Sequence, residues 1–184
     1  AEKNKLTYDS EIEAAYLVGH FGVSTPGTWE VLPRSATRYH GDFVIGPLPE
    51  KVTLGDLTPQ GLPFFNGRVR LTRSVRLTAA ESAGRSFRFS ERMAHVLALK
   101  VNGQPAGEWL WRPYEADLEG LLKPGENTFE LELTGGLRNL LGPHHLQEGE
   151  SYGVGPASFF KEPNIWGNLP WNDAYCFVEF GIRV

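Results

Sequence analysis

The 184-residue chain has very little cysteine and no long apolar run. Its single cysteine, Cys176, cannot form an internal disulfide, and its place in an alternating segment predicts a buried, apolar thiol. No stretch approaches the ~20 apolar residues that cross a bilayer, and the start of the chain, AEKNK, has no hydrophobic signal core. We therefore expect no membrane partner, and the sequence does not indicate a compartment.

A dominant charge of one sign is also missing. Lysine and arginine number 18 against 22 aspartates and glutamates, which gives a formal net charge of −4. Like charges nowhere follow one another in a long run. Because nucleic-acid binding relies on a basic face, we expect no nucleic-acid partner.

Signatures of catalysis and of metal binding are equally scarce. The chain has no Gly-x-Ser-x-Gly motif, and its acids are scattered over predicted strand surfaces and turns rather than paired, as glycoside hydrolysis requires. His144 and His145 are adjacent, but neighbouring side chains of an extended segment point to opposite sides and rarely share one ion. We expect no catalytic residue, no metal and no cofactor in this chain.

Glycine, proline and aromatic residues, in contrast, are abundant. The chain has 21 glycines and 13 prolines, and 12% of it is aromatic and 41% hydrophobic. So many apolar residues argue against disorder, and so many turn formers argue against long helices. The composition predicts a packed, turn-rich domain of β-strands.

Alternation of apolar and polar residues with a period of two predicts the strands. The clearest segments are 69–77, 86–90, 95–101, 129–133 and 175–184, with shorter candidates at 12–18, 28–32 and 42–45. In the first of these, Arg73 is a charged exception on the apolar side. This pattern favours an all-β sandwich with two sheets, either a jelly roll or an immunoglobulin-like fold, and the lack of a Cys…Trp…Cys pattern weakens the latter.

Three turn signals separate these strands. Asn102-Gly103 predicts a type I′ hairpin, because both residues tolerate positive φ. Asp117 predicts the cap of a short helical turn over 118–122, and Pro124-Gly125 predicts a turn with positive φ at the glycine.

Four motifs in this order resemble the sugar-binding jelly roll of glycoside hydrolase family 2 and related galactose-binding-like domains. They are LPFFNGRV (62–69), LALKVNGQ (97–104), WRPYEADL (111–118) and LKPGENT (122–128), within a match that covers 61–133. LRNLLGPHH (137–145) and YLVGHFGV (16–23) are similar to the version at the C-terminal end of large bacterial glycoside hydrolases. Long insertions at 24–60 and 147–173 depart from the minimal domain.

The resemblance implies an accessory role, because the catalytic carboxylates of such enzymes usually lie on a separate barrel domain. It implies a saccharide or polysaccharide and the catalytic domain of the parent enzyme as partners. Structural calcium is common in such modules, but no dense Asp/Asn loop marks a calcium site here. We expect residues 1–10 to form a connector or a lead-in to the first strand, and 11–184 to form one domain.

Aromatic residues in irregular segments are the candidate ligand-binding groups, since flat rings stack on the apolar faces of sugars. The candidate site residues are Trp109, Trp111, Arg112, Tyr114, His144, His145, Trp166, Trp171, Asn172 and Asp173. The same tryptophans suit two other roles: covering the edge or end of the sandwich, or contacting a neighbouring domain. The sequence thus predicts a non-catalytic carbohydrate-binding module, with a purely structural interdomain module and a free-standing jelly-roll glycosidase or lyase as alternatives.

Overall fold

A computed structural model describes residues 15–150, 152–153 and 170–183. These residues form antiparallel strands, one short helix, α1 (Ala79–Ser82), and one 3-10 turn (Thr58–Gln60). The strands are β1 (Gly22–Ser24), β2 (Thr28–Leu32), β3 (Ala36–His40), β4 (Val44–Gly46), β5 (Gly55–Asp56), β6 (Arg68–Leu77), β7 (Ser86–Arg88), β8 (Glu91–Met93), β9 (Val96–Val101), β10 (Gln104–Trp109), β11 (Glu115–Asp117), β12 (Gly125–Thr134), β13 (His144–Leu146), β14 (Trp171–Val178) and β15 (Gly181–Arg183). The predicted all-β sandwich class is confirmed, whereas the jelly-roll connectivity and the domain limits stay predictions.

Two four-stranded sheets dominate the fold. One has the strand order β10-β9-β12-β6, and the other has the order β13-β14-β3-β2. A three-stranded sheet (β5-β15-β8) and two strand pairs (β1-β4 and β11-β7) complete the architecture. Among the described residues, no helix has the length and apolar character that would let it cross a bilayer.

The apolar side of the first sheet carries the main core. β6 and β12 pair over their full lengths with Leu71 opposite Leu131, and Leu131 in turn lies opposite Leu99 of β9. Since side chains alternate along each strand, this register stacks three apolar rows on one side. Leu99 and Leu131 are buried there, together with Phe180 from the segment between β14 and β15.

An aromatic cluster supports the second sheet. Tyr39 of β3 and Phe177 of β14 are both fully buried, and Phe43 packs against each of them with ring centroids 5.0 and 6.0 Å away. Trp29 of β2 lies 4.8 Å from the ring of Tyr39. Rings at such separations pack in tilted or edge-to-face geometry, which fixes the positions of the strands that carry them.

The predicted turns at 102–103 and 124–125 are confirmed. Asn102 and Gly103 have φ of 51° and 79°, as a type I′ hairpin requires, and Gly125 has φ of 96°. The helical turn predicted after Asp117 is wrong: Asp117 ends β11, and its carboxylate accepts a hydrogen bond from the Glu119 amide in a simple turn. The carboxylate satisfies a local amide without starting a helix.

The two outermost strand predictions need correction. Residues 15–18 of the predicted early strand are exposed and outside any strand, and 12–14 lie outside the described residues. The predicted final strand is two strands, β14 and β15, in different sheets. Phe177, whose side chain points to the side opposite Cys176, is as buried as Cys176, because β14 has packed residues on both faces.

Candidate functional site

The structure divides the predicted site residues into two groups on different sheets. The first group lies at the end of β10 and in the link to β11. Trp109 is buried and donates a hydrogen bond from its indole N–H to the carbonyl of Glu115 at 3.2 Å. Its ring meets Phe89 edge-on, so Trp109 is a core residue. Of the roles predicted for the tryptophans, covering the sandwich fits Trp109 better than binding a sugar.

The rest of the first group lies progressively nearer the solvent. Tyr114 stacks on Phe89 with ring centroids 4.7 Å apart, and the guanidinium of Arg112 lies 5.8 Å from the centre of the Tyr114 ring. Trp111 is 74% exposed, and Leu110 beside it is 48% exposed. This segment therefore presents one bare indole and one cation over an aromatic ring.

The second group lies where β13 pairs with the start of β14. The ring of His145 stacks on the indole of Trp171, with centroids 4.4 Å apart and planes 17° apart, and it also contacts Tyr175 at 5.0 Å. Asp173 accepts a hydrogen bond from the indole N–H of Trp171 at 3.0 Å. We call these four residues (His145, Trp171, Asp173 and Tyr175) the histidine–tryptophan platform.

Strand alternation explains which residues join the platform. Trp171, Asp173 and Tyr175 occupy alternate positions of β14 and so share one side of it, whereas Asn172 points to the other side. There the side-chain oxygen of Asn172 accepts a hydrogen bond from the amide of Ala174. Asn172 holds the strand in shape at this point rather than extending the platform.

The hydrogen bonds of His145 fix its tautomer. Its Nδ1 lies 3.2 Å from the carbonyl of Asn172 and 2.8 Å from that of Ala174. Because carbonyls only accept, Nδ1 carries the hydrogen, and Nε2 of the neutral ring is an acceptor. Among the described residues no group donates to this Nε2.

The neighbouring histidine belongs to a buried polar network. His144 is fully buried, and its Nδ1 accepts the amide hydrogen of Leu146 at 3.0 Å. Its Nε2 therefore donates to the carboxylate of Glu150 at 2.9 Å. Arg138 donates two hydrogen bonds, of 3.0 and 2.9 Å, to the same carboxylate. The two histidines thus face opposite ways, in agreement with the prediction from their adjacency.

The electrostatics of this network favour an ionised Glu150. Burial opposes the charge, but the hydrogen bonds from His144 and Arg138 and the charge of Arg138 outweigh it and lower the pKa of Glu150 to about 2. Burial, and then the negative charge of Glu150, raise the pKa of the nearby Cys176 thiol to about 11. The network is a fixed ion pair beside a neutral thiol.

His144, Glu150 and Cys176 are also the group of described residues that comes nearest to a metal centre. One ligand atom from each lies within 4.8 Å of the others. However, the Nε2 of His144 carries a hydrogen, and Arg138 occupies both oxygens of Glu150. A histidine that binds zinc must offer a nitrogen lone pair, a cysteine that binds zinc must be a thiolate, and a guanidinium next to the site would repel a cation. These contacts favour a structural network.

Two further arginines fasten the segment that contains Glu150. Arg34 donates to the carbonyls of Glu148 and Glu150, and the buried Arg38 donates to the carbonyl of Gln147. With Arg138, three cations thus converge on residues 147–150. The network cannot be predicted from the sequence, because its members are far apart in the chain and no spacing rule connects them.

Two other carboxyls have raised pKa values, but their contacts are structural. Burial raises the pKa of Asp56, whose carboxylate accepts amide hydrogens from Thr58 and Phe180. Burial likewise raises the pKa of Glu179, which is paired with Arg183. Both carboxyls hold the junction of β5 and β15 together.

Of the remaining predicted site residues, Trp166 lies outside the described residues.

Comparison with known proteins gives structural likenesses only. No protein-family model and no curated protein matches the sequence. A rhamnosidase from Novosphingobium sp. PP1Y matches with a TM-score of 0.40 and 16% identity over 94% of this chain and 16% of its own. A β-glucuronidase from Bifidobacterium dentium matches with a TM-score of 0.38 and 21% identity over 71% of this chain and 22% of its own.

A β-D-glucuronidase of Dictyoglomus thermophilum matches with a TM-score of 0.34 and 19% identity, over 80% of this chain and 24% of its own. The chain thus spans a quarter or less of the length of these three solved structures. At these TM-scores and identities, the likeness assigns neither a function nor site residues to this chain.

Proposed function

We propose that this chain is a non-catalytic saccharide-binding module of a glycoside hydrolase, and that the histidine–tryptophan platform is its binding site. The observation that carries the proposal is the stacked ring pair of His145 and Trp171 with a carboxylate, Asp173, at the indole edge. A flat aromatic surface with a few fixed polar groups is the usual way to hold a pyranose ring.

Each member of the platform has a defined part in this binding. His145 covers one face of the indole and so holds its plane, while Trp171 keeps part of its surface exposed for the apolar face of a sugar. Asp173, exposed at the surface, accepts hydrogen bonds from sugar hydroxyls, as does the Nε2 of His145. Tyr175 joins this surface to the aromatic cluster, because its ring lies 5.0 Å from Phe43. Binding is reversible and breaks no bond.

The proposal is tested by affinity electrophoresis of the chain in gels that contain a broad panel of polysaccharides, with tryptophan fluorescence titration of any that retard it. We expect Trp171→Ala to weaken binding by about tenfold or more, since a stacked aromatic contact is lost. Trp111→Ala is the matched control, because it removes an exposed indole from the link between β10 and β11. The chain alone should not hydrolyse chromogenic glycosides.

A structural interdomain role is the second candidate, and the bare surface of Trp111 and Leu110 favours it. It predicts that no polysaccharide of the panel retards the wild-type chain. That result would replace the saccharide proposal. A loss of binding in Trp111→Ala that Trp171→Ala does not share would instead show that the histidine–tryptophan platform is not the binding site. Thermal unfolding of both variants confirms that each is folded.

A further inference from the structure

A groove on the first four-stranded sheet is lined by residues that have no part in the proposed saccharide site. It has a volume of about 820 Å³ and lies between residues 50–54 and strands β6, β9 and β12. Sites for small molecules typically have volumes of roughly 300–1,000 Å³ and mostly apolar walls. The groove is therefore large enough for a compact organic ligand.

The floor of the groove is a part of the core that the rest of the fold leaves open. Leu71 and Val75 of β6 and Phe129 of β12 are only half-buried, whereas Leu99 and Leu131 farther across the sheet are buried. All five line the groove, as do Phe87 and Val52. An apolar surface that folding does not cover favours a ligand with an apolar body.

Arg73 is the unusual residue of this floor. It lies between Leu71 and Val75 on the core-facing side of β6, and its partner in the register is Phe129. The side chain is exposed and lines the groove. The methylene stem of an arginine can lie along the apolar side chains of this row, but its guanidinium must stay in contact with water or with a partner.

The ion pairs of β6 make the contrast sharper. Arg68 and Arg70, which alternate with the floor residues along β6, both pair with Glu132 of β12, and Arg70 also lines the groove. Arg73 has no ion pair with any acid of the described residues. Lys51 also lines the groove, and so does Glu50, the one acid in the lining. The groove thus combines an apolar floor with an unpaired, planar guanidinium.

We propose that this groove binds a small anionic amphiphile, a molecule that joins a carboxylate to an aliphatic or aromatic body. The body covers Leu71, Val75 and Phe129, and the carboxylate receives a two-pronged hydrogen bond from Arg73. The guanidinium matches the planar geometry of a carboxylate and forms charge-assisted bonds with it. The site is independent of the histidine–tryptophan platform, which lies on the other four-stranded sheet.

The test is isothermal titration of the 184-residue chain with decanoate and, separately, with decan-1-ol, which has the same body without the charge. Decanoate should bind saturably and more tightly than the alcohol. Arg73→Gln should weaken decanoate binding by about tenfold or more and leave the alcohol unchanged, since only a charge-assisted bond is lost. Arg76→Gln, on the opposite face of the same exposed strand, is the matched control and should bind decanoate as the wild type does.

Amide chemical-shift mapping locates the ligand, and we expect decanoate to perturb residues 50–54 and 71–75. Three results would overturn the proposal: no saturable binding of decanoate, an equal loss in both arginine variants, or shifts that map to another surface. An equal loss would mean that decanoate responds only to net charge.

Discussion

At the residue scale, tryptophans that look alike in the sequence have different roles. Trp109 and Trp111 are two positions apart, yet the first is 8% exposed and the second 74% exposed. The difference arises because β10 ends at Trp109, and alternation no longer applies beyond it. The sequence identifies both tryptophans as candidate binding residues. Contacts with Phe89 and Glu115 explain why Trp109, and not Trp111, is buried in the core.

Cys176 is a residue whose environment the sequence did predict. It is 1% exposed, and burial followed by the charge of Glu150 raises the pKa of its thiol to about 11. Since the thiolate is the reactive form, the folded chain at mildly alkaline pH should hold on the order of one thiolate per thousand molecules.

We therefore expect the native chain to resist alkylation by iodoacetamide and the chain in guanidinium chloride to react at once. Mass spectrometry gives a clear result, because the chain has one cysteine and so accepts one label. Native labelling at a rate similar to that of the unfolded chain would contradict the burial of Cys176.

At the element scale, two asparagines join turns that are separate motifs in the sequence. Asn102, in the β9–β10 hairpin, donates to the side-chain oxygen of Asn127 at 2.9 Å. The fully buried Asn127 also accepts from the amide of Lys123 and donates to the carbonyls of Lys123 and Gly125. Each motif was recognisable from its own residues, but their contact depends on the pairing of β9 with β12.

This contact predicts a large cost for a small change. Asn127→Asp keeps the shape of the side chain but replaces two donated hydrogen bonds with a buried charge facing two carbonyls. We expect it to lower the free energy of unfolding by roughly 2–4 kcal/mol. Asn66→Asp, the same change at an exposed position, should stay within about 0.5 kcal/mol of the wild type.

Urea unfolding followed by tryptophan fluorescence measures both variants. Equal stability of Asn127→Asp and Asn66→Asp would show that the buried amide makes no net contribution to holding the turns together.

At the scale of the whole molecule, strand periodicity predicted the fold class well and the placement of β14 and β15 poorly. β6 and β12 were predictable because one face of each is apolar and the other polar. β14 packs on both faces, so alternation does not identify a single buried side, and the neighbours Cys176 and Phe177 are both buried. The histidine–tryptophan platform depends on this same strand, which explains why its members were predictable as residue types but not as one surface.

The pH dependence of stability also belongs to the whole chain, because buried carboxyls act on it in opposite directions. The pKa values of Asp56 and Glu179 are raised, so their contribution is fully present below the unfolded values and is lost as pH rises through the folded ones. The contribution of Glu150 to stability changes with pH in the opposite direction. Its pKa falls from 4.5 to about 2, so its stabilisation is complete above pH 4.5 and is lost as pH falls toward 2.

Glu150→Gln isolates the Glu150 contribution, because the other carboxyls are common to both chains and cancel in the difference. A shift from 4.5 to about 2 corresponds to roughly 3 kcal/mol, so the variant should be less stable than the wild type by about that amount near neutral pH. The gap should close between pH 4.5 and 2, as the wild-type carboxyl takes up its proton. Glu148→Gln removes a neighbouring exposed carboxylate and should match the wild type throughout. Urea unfolding at a series of pH values provides the measurement. If the difference in stability between Glu150→Gln and the wild type stayed constant down to the lowest pH, the Arg138–Glu150–His144 network would not depend on the charge of Glu150.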